Sequence, residues 1–171
     1  MSELVTQFRN LHYDVEPLII PNAWDAASAK VFEQAGAKAI TTSSAAMAAT
    51  FGYPDGEAIP FSLMFTMIKR IVACTNIPVS VDFEAGFSTN IATVLVHIDR
   101  LIEIGVAGIN IEDRYAHAPN ELIDPSAQAE RIQAIRDHCQ QNGADLFINA
   151  RTDVYWASHI PCADPLKETI A

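Results

Sequence analysis

Three short stretches hold the side chains with the most chemistry in them: VSVDFEAGF (79–87), GINIEDR (108–114) and INARTDVYW (148–156). In an extended chain, alternate residues face opposite ways. Ser80, Asp82 and Glu84 then share one face of the first stretch, and Val79, Val81 and Phe83 the other. Asn110 and Glu112 share a face of the second, with Ile109 and Ile111 opposite. Asn149 and Arg151 share a face of the third with Phe147. If these polar faces converge, three carboxylates (Asp82, Glu84, Glu112) and one arginine meet at one end of the strands. Asp55, in the long loop after the second strand, sits on the same rim.

Carboxylates crowded together raise each other's pKa unless something compensates, and one arginine is too little. Hard oxygen donors without histidine or thiolate suit Mg2+ or Mn2+, with water in the remaining octahedral positions. Arg151 is suited to a bidentate contact with a carboxylate or phosphonate. A lone acid near a strand end commonly caps the next helix; recurrence on three successive strands favours a shared site. Asp113 has the parity opposite to Glu112 and is assigned to the loop or to an outer ion pair. His12, His97, His117, His138 and His159 show no HxH or HExxH spacing. His97 and His138 fall in helices as surface or half-buried residues. A loop histidine is more often simply solvated, but His117 is the one placed for acid–base work. No GxSxG elbow is present, and no cysteine is placed as a nucleophile.

Five strand-like segments must position these groups: residues 18–21 (LIIP), 39–43, 78–84, 108–112 and 146–151. Helix-like segments alternate with them. One begins at Trp24 and stops at Gly36; others run over 60–76 and 90–105. The next has Asp124 as N-cap and Pro125 in its first turn, and ends at Gly143. Leu4, Phe8 and Leu11 are spaced as on a short amphipathic N-terminal helix. Strict alternation means parallel βα units. An open doubly wound sheet would place a glycine-rich phosphate turn after its first strand, where PNAWDAA has no glycine, and GxGxxG and Walker A motifs are absent. Polar residues at the C-terminal strand ends favour a (β/α)8 TIM barrel instead. Such a barrel takes about 250 residues. The 171 residues hold five units and stop in DPLKETIA, the start of a further helix. The expectation is a single domain over 1–171 that is the first part of a longer barrel.

Composition agrees with a globular domain: half the residues are apolar and 19% are charged. A net charge of −10 argues against nucleic acid or an anionic membrane surface as partner. No apolar run approaches the ~18 residues of a membrane span, and the N-terminus lacks a secretory pattern. Cys74, Cys139 and Cys162 are too scattered for a disulfide framework or zinc knuckle, and read as reduced thiols of a cytoplasmic protein.

PNAWDAASAKVFEQAGAKAI, TTSSAA followed by GYPDGE, VSVDFEAGF, GINIEDR and INARTDVYW together resemble the isocitrate lyase / phosphoenolpyruvate mutase superfamily, from about residue 6 onward. The resemblance implies a TIM barrel of the phosphoenolpyruvate/pyruvate type, usually tetrameric. It implies Mg2+ bound directly by Asp82, with Asp55, Glu84 and Glu112 reaching it largely through water. It gives Arg151 the grip on the substrate, and gives Ser43, Ser44 and Ala45 the substrate carboxylate and enolate oxygen; Asn149, on the strand face of Arg151, is expected to be a further substrate contact, and Asp55, Glu112 and Arg151 are the expected catalytic residues. The shared chemistry is a pyruvate enolate formed as a C–C or C–P bond breaks.

The loop after the fourth strand, EDRYAHAPNELIDP, lacks the Lys-Cys-Gly-His motif of isocitrate and methylisocitrate lyases. It carries Asn120 but no lysine between Arg114 and Asp124, unlike the phosphonate mutases. The expectation is therefore a Mg2+-dependent (or Mn2+-dependent) lyase or decarboxylase of a small 2-oxo or 2-hydroxy carboxylate, acting as a homo-oligomer. The alternatives are a C–P bond enzyme and an inactive fragment or interaction protein.

Overall fold

The computed structural model describes residues 3–118, 121–156 and 164–170. Asn120, His159 and Cys162 lie outside the described residues. The elements run α1 (Glu3–Leu11), β1 (Asn22–Ala23), α2 (Ala26–Gln34), β2 (Ile40–Thr42), α3 (Ser44–Thr50), α4 (Phe61–Cys74), β3 (Val79–Asp82), α5 (Ile91–Glu103), β4 (Gly108–Glu112), α6 (Pro125–Gln141), β5 (Phe147–Arg151) and α7 (Pro165–Ile170). The five strands form one parallel sheet in the order β1-β2-β3-β4-β5. Every strand pairs with its sequence neighbour, the order of a barrel wall rather than of a doubly wound sheet.

Short polar signals start the helices. Asp25 accepts from the Ser28 N–H at 2.7 Å, and the Ser28 hydroxyl and the Asp25 N–H close a capping box. Asn90 caps α5 through the Ala92 N–H. Asp124 caps α6 through Ser126 and Ala127, with Pro125 first in the helix. Asp164 takes the Lys167 N–H at the start of α7.

The strand parity holds through the middle of the sheet. Val81, Ile109 and Ile111 are fully buried against α4, α5 and α6, where Met64, Ile68, Ile98, Leu101 and Ile135 meet them. α1 closes the N-terminal end of the sheet. Its Val5 and Phe8 are buried with Ala39 and Ala107, and Phe8 packs edge-on against Phe147 at 5.3 Å. Arg9 holds Asp145, just before β5, through two hydrogen bonds of 3.1 and 2.7 Å. Gly108 is required beneath this helix: a Cβ there would meet Phe8 Cε1 at 2.9 Å and the Phe147 carbonyl oxygen at 3.0 Å.

Three expectations change. The first strand is Asn22–Ala23, not residues 18–21. Pro21 has no N–H to pair, Ile19 is 84% exposed, and the ladder begins where the Thr41 N–H reaches the Pro21 carbonyl. The stretch after β2 is a helix, α3, rather than the start of a loop. Ser43 is its N-cap and accepts from the Ala46 N–H, and the alanine-rich run propagates it. Finally, β3 ends at Asp82, and Glu84 takes a left-handed conformation with φ 48°. Among the described residues no helix is long and apolar enough to cross a membrane.

Candidate active site

The inward face of the sheet is polar. A cavity of about 290 Å³ is lined there by Asn22, Thr41, Ser80, Asn110, Asn149 and Arg151, with Asp82 at its upper wall and Phe8 and His12 closing its base. Asn149 donates to the Asn110 side chain, and Asn110 lies 3.4 Å from Asp82 Oδ1. These residues stand level across β3, β4 and β5, because Asp82 pairs with Asn110 and Asn110 with Asn149.

Asp82, the last residue of β3, is held by Ser44. The Ser44 N–H and hydroxyl both donate to its Oδ2, at 3.0 and 2.7 Å. The Asp82 N–H in turn donates to the Thr42 hydroxyl. The turn of Ser43, Ser44 and Ala45 is thus built into α3, with Ser43 as cap, Ser44 orienting Asp82, and Ala45 exposed in the first helical turn.

Glu84 does not reach this cluster by strand parity. Beyond Asp82 the chain turns through positive φ at Glu84, Gly86 and Phe87, while the Glu112 N–H still bonds the Glu84 carbonyl at 2.8 Å. The Glu84 side chain is nonetheless buried among acids. Burial first, then the charges of Glu57, Asp55, Asp82 and Glu112, push its carboxyl up to about 8. Burial lifts Glu112 to about 7, even though Arg151 Nη1 lies 2.7 Å from its Oε1. Asp55 is exposed, yet close enough to raise Glu84. Arg151 thus pairs with Glu112 at the C-terminal strand ends, with Asp82 and Glu84 within electrostatic reach of that pair and Asp55 on the rim.

Arg151 spans two acids, Glu112 and Asp153; its Nε donates to Asp153 Oδ1 at 2.7 Å. Asp153 is fully buried and also receives Arg114 Nε at 3.0 Å. Asp113 serves the loop, accepting the Asp153 N–H at 2.8 Å. His117 is exposed and stacks on Tyr115. His138 pairs with Asp99, and His97 stacks on Phe61 with Nδ1 3.1 Å from the Gly86 carbonyl.

Sequence reasoning overlooks Asp153, Glu57, Gln128 and Arg131. Asp153 lies two residues past Arg151, within the ARTD stretch, so its position was a usable signal. The other three reach the site from a loop and a helix, where no periodicity points to them. Among the described residues no three acidic, histidine or cysteine side chains are gathered into a ready-made metal cage.

A family model for phosphoenolpyruvate phosphomutase matches residues 8–171. An uncharacterised Mycobacterium tuberculosis protein is 36% identical over 149 residues, covering 87% of this chain and 54% of that protein. The 2-methylisocitrate lyase of Halalkalibacterium halodurans is 32% identical over 158 residues, covering 89% and 51%. A Burkholderia cenocepacia crystal structure, provisionally assigned as a phosphonomutase, superposes with TM-score 0.89 at 40% identity, over 97% of this chain and 67% of that one. A 2,3-dimethylmalate lyase superposes with TM-score 0.81 at 26% identity, over 93% and 57%. The chain spans about half the length of the curated relatives it matches.

Proposed function

The chain belongs to the phosphoenolpyruvate mutase family, and on that premise we propose that it serves a divalent-metal-dependent lyase or decarboxylase. Its substrate is a small 2-oxo carboxylate cleaved at a C–C bond through a pyruvate enolate, or a 2-hydroxy carboxylate whose hydroxyl carbon becomes a carbonyl while the electron pair of the broken C–C bond forms an enolate on the departing carboxylate. The observation that carries this reading is the Arg151–Glu112 pair at one end of three adjacent strands, with Asp82 and Glu84 within electrostatic reach and two of the acids pushed toward neutrality by burial. Stability alone does not account for burying several acids together.

The donor set suits a hydrated Mg2+ or Mn2+. All the donors are hard oxygens, Asp82 is oriented beforehand by Ser44, and the others are too dispersed for a direct cage. Asp82 is assigned as the direct ligand, with Glu84, Glu112 and Asp55 acting through water. When bound, the cation supplies a Lewis acid for the negative charge that develops on oxygen.

The chain's own groups do the rest. Arg151, aimed by Glu112 and Asp153, grips the substrate carboxylate. Asn149 lies on the same strand face. With the donors of Ser44 turned on Asp82, the Ala45 N–H, which has no partner within the first turn of α3, is the backbone donor left for the substrate from that turn, beside the Ser43 hydroxyl. Glu112, raised to about 7, can hold a proton near neutrality.

Thermal unfolding of the chain with Mg2+, oxalate, both or neither tests the reading, because a ligand that binds only the folded state raises the midpoint. A shift that requires both and vanishes in Asp82→Asn is expected. An equal shift in that variant refutes the site. Pyruvate release from a 2-oxo dicarboxylate, with neither pyruvate nor phosphoenolpyruvate formed from phosphonopyruvate, separates C–C from C–P chemistry.

A further inference from the structure

The turn that delivers Glu84 is costly as built. Glu84 and Phe87 both adopt left-handed φ, at 48° and 58°, a region that side chains other than glycine seldom occupy. Gly86, at φ 94°, sits where any side chain is strained, and a Cβ there would also press to 3.1 Å from both Val94 methyls. A turn of this kind persists only where its surroundings hold it.

What holds it is a pair of opposite charges gripping the backbone of one short segment, Ala85 to Phe87. On one side, Glu57 Oε1 accepts the Ala85 N–H at 3.1 Å and the Phe87 N–H at 2.6 Å. On the other, Arg131 Nη2 donates to the Ala85 carbonyl at 2.6 Å. Both side chains sit largely out of water, where charge-assisted hydrogen bonds are strongest. Arg131 reaches further. Its Nη1 donates to Gln128, whose amide donates to the Glu112 carbonyl at 2.9 Å, and its guanidinium lies 4.9 Å from the centre of the Tyr115 ring. One arginine on α6 therefore touches the turn after β3 and the loop after β4, and reaches the end of β4 through Gln128.

We propose that Glu57 and Arg131 are positioning residues: a clamp on the Ala85–Phe87 backbone that sets Glu84 against Glu112 for the cation and ties the loop after β4 to the turn after β3. The cation's part in this rests on the function proposed above. The clamp itself does not, so the two can fail separately.

Two readouts on the same variants of the whole chain test it: amide hydrogen exchange at Ala85 and Phe87, and Mn2+ affinity from the electron paramagnetic resonance signal of free Mn2+. Arg131→Met is expected to speed exchange at both amides, and to weaken Mn2+ binding, at least tenfold. Arg131→Lys keeps one donor and is expected to recover part of each loss. Glu57→Gln keeps the shape but not the charge, and is expected to lie between wild type and Arg131→Met. Arg136→Met, on the exposed side of α6, is expected to change neither.

A destabilised but correctly set turn would lower the unfolding midpoint without moving Mn2+ affinity, and that result overturns the proposal. So does unchanged exchange in Arg131→Met. If that variant does not fold, Arg131→Lys and Glu57→Gln decide by the same criteria. If wild type binds no Mn2+ while exchange still responds to the variants, the metal reading has failed. The clamp is then structural only, and its positioning role is overturned.

Discussion

Ser44 gives both of its donors to one oxygen of Asp82, the backbone N–H at 3.0 Å and the hydroxyl at 2.7 Å. The start of α3 thereby fixes the acid at the end of β3. A hydrogen bond to a charged acceptor contributes about 1.5–3 kcal/mol. Ser44→Ala removes one of the two and leaves the backbone donor in place. Calorimetric titration is expected to show Mn2+ affinity falling roughly tenfold, the equivalent of about 1.4 kcal/mol, beside a fall of several degrees in the unfolding midpoint from the lost hydrogen bond. A variant that binds Mn2+ as wild type does would show that Asp82 needs no such help.

Glu84 at about 8 and Glu112 at about 7 make stability depend on pH in the direction opposite to an ordinary ion-paired carboxylate. Their folded pKa values lie above the unfolded value near 4.5, so the folded chain holds more protons between those limits. Stability is then complete below about pH 4.5 and declines as pH rises to about 8. Urea unfolding across that range, without divalent ions, is expected to lose several kcal/mol, on the order of 8 where both groups respond in full at about 1.36 kcal/mol per pH unit. Glu84→Gln flattens the curve. Mg2+ flattens it too, because a bound cation favours the ionised acids. A wild-type curve that rises with pH would contradict the burial of these groups.

The parity of Asp82, Asn110, Glu112, Asn149 and Arg151 was legible because alternation in a strand leaves a side chain only two directions. Glu84 kept its place in the cluster for another reason, a left-handed turn that no alternation rule contains. The LIIP run misled because an apolar tripeptide between Pro17 and Pro21 looks like a buried strand, while the missing Pro21 N–H moves the pairing on to Asn22. The helix α3 was hidden behind its own cap, since Thr-Thr-Ser-Ser reads as a turn until the alanines after it are counted. Glu57 and Arg131 act on backbone groups of distant residues, and such contacts leave no spacing in a sequence.

Gly108 lies where α1 meets the sheet, and its missing side chain sets how closely they approach. Gly108→Ala would bring a methyl to 2.9 Å from Phe8 and 3.0 Å from the Phe147 carbonyl. The ring can tilt away; the carbonyl belongs to β5 and cannot. Overpacking of this kind costs about 1–3 kcal/mol. Urea unfolding of the variant is expected to show that loss, and Phe8→Leu added to it is expected to recover only part. Full recovery would place the whole clash on the ring.

Asp153 is fully buried and takes one arginine on each oxygen, Arg151 on Oδ1 and Arg114 on Oδ2. Asp153→Asn keeps the volume but removes the charge both guanidiniums are aimed at, and it turns one acceptor into a donor facing a cation. Breaking a buried pair in this way costs about 3–5 kcal/mol. Arg151 is 33% exposed at its side chain and keeps Glu112, so some of that cost is relieved by solvent, and a loss of about 3 kcal/mol is expected. The functional consequence is separable from the stability loss. With Asp153 neutral, Arg151 leans on Glu112 alone and is no longer held in one orientation. Oxalate affinity measured at saturating Mg2+, on protein kept well below its unfolding midpoint, is expected to fall at least tenfold while Mg2+ affinity changes little. Equal losses for both ligands would mean that Asp153 supports the whole strand end rather than the aim of Arg151.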